Sequence, residues 1–276
     1  MASDPAPPRL CLITGASAGI GAAFARIYAS HGYDVALTAR REDRLETLAE
    51  EIRLRHGVET LVIPADLSDA ASPGRIVDDI TAHGRTVSAL VNNAGYGLTG
   101  RFTSTSWSQQ AAMLQVMLTS VCELTHRVLP GMVEARFGRI VNVASLAGLA
   151  PAYPGQGLYS PIKAFLVKMS ETLHVENLET GVHVTALCPG FTYSEFHDVN
   201  QTRRQLERAL PAWMWLGADE VAASGYEAAE ANRPICVTGA PNKALAALSK
   251  IIPDEWALWG MSLMARGYGP IPRRPR

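Results

Sequence analysis

The stretch Leu10-Cys11-Leu12-Ile13-Thr14-Gly15-Ala16-Ser17-Ala18-Gly19-Ile20-Gly21 decides the fold of this chain. An apolar run breaks into glycines and resumes as Ala22-Ala23-Phe24-Ala25-Arg26-Ile27-Tyr28, which reads as strand, tight turn and helix. Glycine allows close approach to the backbone, and the first N–H groups of a helix lack partners. Such a junction therefore suits a pyrophosphate. The candidate contacts are Gly15, Ser17, Gly19, Ile20 and Gly21. A glycine pattern alone also fits an ordinary turn, so the rest of the chain has to carry the reading.

Outward from this junction, short apolar runs alternate with longer helical stretches. Strands are expected at Arg9–Thr14, Asp34–Thr38, Glu59–Pro64, Ala89–Asn92, Arg139–Ala144, His183–Cys188 and Pro234–Val237. Helices are expected near Ile20–His31, Arg41–Arg55, Pro73–Ala82, Trp107–Arg136, Gly157–Thr180 and Ala218–Ala231. Strands apolar on both faces belong in a parallel sheet covered by helices. The expected fold is a single α/β domain over residues 9–240, a Rossmann-type doubly wound parallel sheet of about seven strands, with ligands at the strands' carboxyl ends.

Composition excludes several functions. A formal net charge of -1 argues against a nucleic-acid partner. Residues 1–8 form a polar, proline-rich tail, expected to be disordered, with no apolar signal core. No run is long enough to span a membrane. The four cysteines lie among apolar residues without metal spacing, as reduced core thiols would, and this places the chain in the cytoplasm. His31, His56 and His83 sit at helix ends beside glycines, and no metal site is expected.

Two further motifs, Asn92-Asn93-Ala94-Gly95 and Tyr159-x-x-x-Lys163, follow the glycine turn in order. Together the three resemble the short-chain dehydrogenase/reductase family from about Arg9 to Thr238. The resemblance implies a nicotinamide oxidoreductase. It places Asn93 and Ala94 beside the adenosine ribose and an acid, here Asp66, with the backbone of Leu67, at the adenine. Pro189 and Gly190, with the hydroxyl of Thr192, would hold the nicotinamide amide. Asp66 also suits a cap near Ser68-Asp69.

The second strand ends Leu37-Thr38-Ala39-Arg40-Arg41-Glu42-Asp43, with alanine where an acid would receive a ribose 2′-hydroxyl. Guanidinium groups bind a 2′-phosphate through charge-assisted bonds, so NADP(H) is favoured over NAD, and the resemblance implies Arg40 as the clamp. The other reading leaves both arginines as solvated charges opening a helix.

Tyr159 and Lys163 share one helix face. A free tyrosine has a pKa near 10, and a nearby ammonium together with the oxidised nicotinamide is expected to lower it. The resemblance makes Tyr159 the acid/base and Ser145 the carbonyl donor, and Lys163 would also bind the nicotinamide ribose. Ser145 stands 14 positions before Tyr159, one more than is usual in the family, and the loop between can absorb the extra residue. The expected activity interconverts a secondary alcohol and a ketone or aldehyde, with a small apolar or aromatic substrate.

Met117 departs from the resemblance. The family has asparagine there, holding a water in a proton relay, whereas a thioether cannot donate. The alternative this raises is a cofactor-binding sensor with impaired catalysis.

Residues 191–216, with Tyr193, Phe196, His197, Trp213, Met214 and Trp215, are too polar for core and too aromatic for a plain loop; the resemblance implies a substrate lid there, the alternative being a surface helix packing its aromatics. Residues 241–276 form a helical extension. Its apolar face could cover a partner subunit, roof the cleft, or, less favoured, lie on a membrane. Family members often pair through the two long helices, which implies a homodimer or homotetramer.

Overall fold

The computed structural model describes residues 9–152, 154–196 and 211–264. The expected tail 1–8, Tyr153, most of the expected lid including His197, and residues 265–276 lie outside the described residues.

Strand β1 (Leu10–Thr14) is wholly buried and leads through the glycine turn into α1 (Gly19–Ser30). Strand β2 (Asp34–Thr38) and helix α2 (Glu42–His56) follow. Helix α2 has Glu42 and Asp43 in its first turn, Arg53, Arg55 and His56 in its last, and left-handed Gly57 as its stop. That charge order opposes the helix dipole. Next come β3 (Thr60–Val62), α3 (Ser72–Ala82) and β4 (Val87–Asn92).

The long helix expected over Trp107–Arg136 is interrupted. Helix α4 (Trp107–Leu114) passes into a π-helical turn, Gln115–Thr119, before α5 (Ser120–Glu134). The wide turn is braced where the Gln115 amide donates to Ser120 Oγ, which itself donates to the Leu67 carbonyl. Such turns concentrate at functional sites, and this one contains Met117.

The chain continues through β5 (Gly138–Val143), α6 (Tyr159–Glu176) and β6 (Val182–Cys188). A parallel pair of two-residue strands, β7 (Thr192–Tyr193) and β8 (Leu216–Gly217), closes the ends of the expected lid onto each other. Helix α7 (Ala218–Glu230) and strand β9 (Ile235–Val237) complete the domain. The extension forms α8 (Ala240–Leu248) and α9 (Asp254–Met264).

The main sheet has seven strands in the order β3-β2-β1-β4-β5-β6-β9, all parallel. It is the expected doubly wound α/β fold. Core residues cover both faces, with Phe24, Tyr28, Leu45 and Val221 on one side and Ile76, Ile80, Leu124 and Met132 on the other. The strand order reverses between β1 and β4, so the ligand crevice opens at their carboxyl ends.

Candidate active site

At that crevice Thr14 ties β1 to β4. Its Oγ1 donates to the Val91 carbonyl and accepts from the backbone N–H groups of Asn93 and Ala94. The Asn93 amide donates to the Thr14 and Gly15 carbonyls, so its side chain braces the glycine turn.

The glycines are required by contact. A Cβ on Gly21 would lie 2.3 Å from the Gly15 carbonyl oxygen, and one on Gly15, at φ +67°, would lie 2.8 Å from Asn93 Nδ2. No side chain caps α1 at Ala18, so its first N–H groups are unclaimed by a cap. This turn fits a pyrophosphate.

The adenosine rim is exposed and charged. Asp66 accepts from the Ser68 N–H at 2.9 Å, a bond that lowers its carboxyl pKa, and the positive charge of Arg40 adds to the effect. This bond closes a local turn and does not cap α3, whose N-cap Ala71 has no side-chain cap; the neighbour Leu67 is buried. Arg40 is exposed, with no side-chain hydrogen bond or ion pair among the described residues. Arg41 reaches the turn itself, donating to Ser17 Oγ at 3.0 Å and to Glu195 at 2.8 Å. Sequence reasoning did not single out Arg41 as a reaching residue, nor Glu195.

The expected catalytic residues converge. Ser145 ends β5 in extended conformation and caps a short 3-10 turn, accepting from the Ala147 N–H at 3.1 Å. The Leu146 N–H donates to the Pro189 carbonyl, which ties this loop to the end of β6. Tyr159 opens α6, with the Ser145 side chain near enough to its phenol to lower its pKa.

Lys163 lies one turn on. It is 5% exposed, and its Nζ donates to the Val143 carbonyl at 2.6 Å and stands 5.6 Å from the centre of the Tyr159 ring. Loop and helix meet closely here, since a Cβ on Gly148 would lie 2.6 Å from the Lys163 carbonyl carbon. The extra residue before Tyr159 is absorbed in a loop that turns at Gly155 and Gly157, with φ 89° and 55°.

One part of the electrostatic expectation is corrected, the lowering of Tyr159 by the Lys163 ammonium. The Tyr159 phenol is pushed up, because burial outweighs the lowering by Ser145, and the ammonium of Lys163 points to Val143. Burial also lowers Lys163 to about 8.

Met117 is buried among Met113, Ile162, Tyr96, Leu98, Leu158 and Tyr159, with its Cε 3.3 Å from where a Cβ on Gly95 would be. An apolar side chain thus fills the place of the expected relay amide. Thr192 is buried and its hydroxyl donates to the Gly190 carbonyl at 3.2 Å, which leaves its lone pairs to accept. Ser194, which sequence reasoning passed over, reaches the glycine turn, because a Cβ on Gly19 would meet Ser194 Cβ at 2.9 Å. Phe196 packs on Tyr159 with ring centres 5.6 Å apart, and Trp215 stacks on Tyr193 at 5.0 Å. Among the described residues no group of His, Cys, Asp or Glu could hold a metal ion, and no helix is long and apolar enough to cross a membrane.

Fold, turn and triad define a nucleotide-dependent oxidoreductase of the α/β class. The family described as short chain dehydrogenase matches residues 9–205, and the chain belongs to it. It is 38% identical over 189 residues to sulfoacetaldehyde reductase 2 of Chromohalobacter salexigens, covering 68% of this chain and 74% of that one. A short-chain dehydrogenase from Sphingobium yanoikuyae in complex with NADPH superposes with a TM-score of 0.76 at 29% identity, over 88% of this chain and 94% of that one. A short-chain dehydrogenase/reductase from Burkholderia phymatum in complex with NAD gives a TM-score of 0.77 at 29% identity, over 87% and 92%.

Proposed function

We propose that this enzyme is an NADP(H)-dependent dehydrogenase/reductase that interconverts a secondary alcohol and a ketone or aldehyde. The observation that carries the proposal is the convergence of Ser145, just past β5, with Tyr159 and Lys163 one turn apart on α6, where Ser145 lowers the pKa of the Tyr159 phenol and Lys163 Nζ stands 5.6 Å from its ring centre. The turn of Gly15, Ser17, Gly19, Ile20 and Gly21 would hold the pyrophosphate, the backbones of Asn93, Ala94, Pro189 and Gly190 the flanking portions, Asp66 and Leu67 the adenine, and Arg40 the 2′-phosphate. The bound nicotinamide supplies or accepts the hydride.

In reduction, Ser145 donates to the substrate oxygen and Tyr159 gives it a proton as charge builds there; in oxidation Tyr159 takes the proton back. Lys163, held on the Val143 carbonyl, would keep a positive charge 5.6 Å from the Tyr159 ring centre. Phe196 packs on Tyr159, and Tyr96, Leu98 and Leu158 pack with Tyr159 on the cluster of Met113, Met117 and Ile162, an apolar setting that favours a small apolar or aromatic substrate. The reading of Met117 as the mark of a sensor without efficient catalysis draws no support from relatives named as reductases.

Turnover by Tyr159→Phe against aliphatic, aromatic, steroid and sugar carbonyls and sulfoacetaldehyde tests the proposal. Activity should vanish while NADPH still binds, and retained turnover refutes the assignment. Pairing into a dimer or tetramer is assigned to α5 and α6, between which Cys122, Leu129, Met169 and Leu173 line an open groove of about 510 Å³. Light scattering checks that assignment. The cytoplasm is the compartment in which four free thiols persist.

A further inference from the structure

Glu195 comes from the segment after β6, yet its carboxylate is held by two arginines from the other half of the nucleotide cleft. Arg41 donates to its Oε2 at 2.8 Å and Arg44 to its Oε1. The partners are 154 and 151 positions away in sequence, so the fold creates this contact. Arg41 uses the same nitrogen to reach Ser17 of the glycine turn. The Glu195 carboxylate is therefore separated from the turn by a single guanidinium.

Its neighbours complete the arrangement. Ser194 lies against Gly19, and Phe196 lies on the ring of Tyr159. Three consecutive residues thus rest on the phosphate-side cations, the pyrophosphate turn and the proposed acid/base.

We propose that Glu195 is an internal counter-ion that competes with a cofactor's 2′-phosphate for Arg41 and Arg44, making it a determinant of cofactor discrimination. The inference rests on the NADP(H) reading above. A carboxylate and a phosphate monoester seek the same planar N–H donors, and only one of them can fill a given guanidinium edge. The phosphate carries up to about two charges against one and so displaces the carboxylate.

A cofactor that ends in a 2′-hydroxyl makes no claim on the pair and leaves it closed. Side chains 42%, 46% and 38% exposed form an ion pair that water screens, which is what an exchangeable contact requires. The two arginines hold the Glu195 carboxyl below its usual range, so it is ionised at neutral pH.

The test is calorimetric titration of the full chain with adenosine 2′,5′-bisphosphate and with AMP, for the parent and for Glu195→Gln. Freed of its internal anion, the variant should bind the bisphosphate roughly fivefold more tightly and AMP no differently. Glu195→Asp, which keeps the charge, should return the bisphosphate affinity toward the parent value. An unchanged bisphosphate affinity in Glu195→Gln overturns the competition. Equal tightening for both nucleotides also overturns it, since Glu195 would then obstruct the turn and not the 2′ group. A parent that does not distinguish the two nucleotides overturns the NADP(H) reading and this inference together. A parent that distinguishes them, with a silent Glu195→Gln, removes only the inference.

Discussion

Lys163 Nζ donates to the Val143 carbonyl at 2.6 Å, joining α6 to the end of β5 where little water reaches. Burial lowers this ammonium from 10.5 to about 8. Below pH 8 both states hold the proton, and the native state carries the cost of burying it. Between about 8 and 10.5 the unfolded chain binds more protons than the native one, so stability rises with pH across that window. The shift corresponds to about 3 kcal/mol. Lys163→Met should lose this alkaline gain, which denaturant melts from pH 7.5 to 10.5 would detect as diverging stability curves. Parallel curves would place the ammonium in water.

The Tyr159 phenol, raised by burial and lowered by Ser145, predicts opposite pH behaviour in the two directions. Reduction needs the protonated phenol, which predominates through neutral pH, so its rate should be flat from pH 6 to about 8. Oxidation needs the phenolate and should climb on the alkaline side. Ser145→Ala removes the side chain that lowers the phenol, so its alkaline limb should move to still higher pH along with a loss of rate of roughly 100-fold. Profiles of kcat/KM for one alcohol–ketone pair decide this, and an unmoved limb would detach Ser145 from Tyr159.

Much of this site could be read from the chain because its residues are bound to strand ends. Gly15 and Ser145 follow closely on apolar runs whose length fixes where β1 and β5 stop, the parallel order gathers them at one edge, and helical spacing sets Tyr159 and Lys163 on one face of α6. The interrupted helix around Met117 was not legible, since apolar periodicity over Trp107–Arg136 is the same whether one turn is α or π. Nor was the clasp of Glu195. An acid in a polar segment carries no local signal of a partner more than 150 positions away. The direction of the Tyr159 shift was also hidden, because burial of the phenol belongs to the packed site and not to the spacing of Tyr159 and Lys163.

Met117→Asn would restore an amide but place it among Met113, Ile162 and Leu158. A buried amide without partners costs about 1–3 kcal/mol. The variant should therefore melt earlier, with turnover rising only where ordered water satisfies the new group. Thermal denaturation beside kcat separates the two effects. A variant as stable as the parent would show that polar partners already surround position 117.

Two glycines make an internal comparison. Ala at Gly21 brings its Cβ 2.3 Å from the Gly15 carbonyl oxygen, and the backbone there cannot withdraw, so overpacking of about 1–3 kcal/mol or more is expected. Gly131 in α5 has nothing within 4 Å of its added Cβ, and Gly131→Ala should stabilise by about 1 kcal/mol through helix propensity. Urea melts of both variants check the signs, and a neutral Gly21→Ala would mean that the glycine turn is looser than its contacts.

Arg40 is exposed and unpaired among the described residues, while its charge bears on Asp66 across the adenosine rim. Arg40→Asp therefore disturbs little of the fold, and stability should stay within about 0.5 kcal/mol. Its effect on cofactors should be large and selective. An acid repels a 2′-phosphate and accepts from a 2′-hydroxyl, so NADPH should weaken by about 10- to 100-fold, as expected for losing a charged hydrogen bond, while NADH holds or improves. Dissociation constants for both cofactors, measured beside a melting curve, give the answer. A parent that binds NADH more tightly than NADPH, or a variant that loses both equally, would end the case for Arg40 as the phosphate clamp.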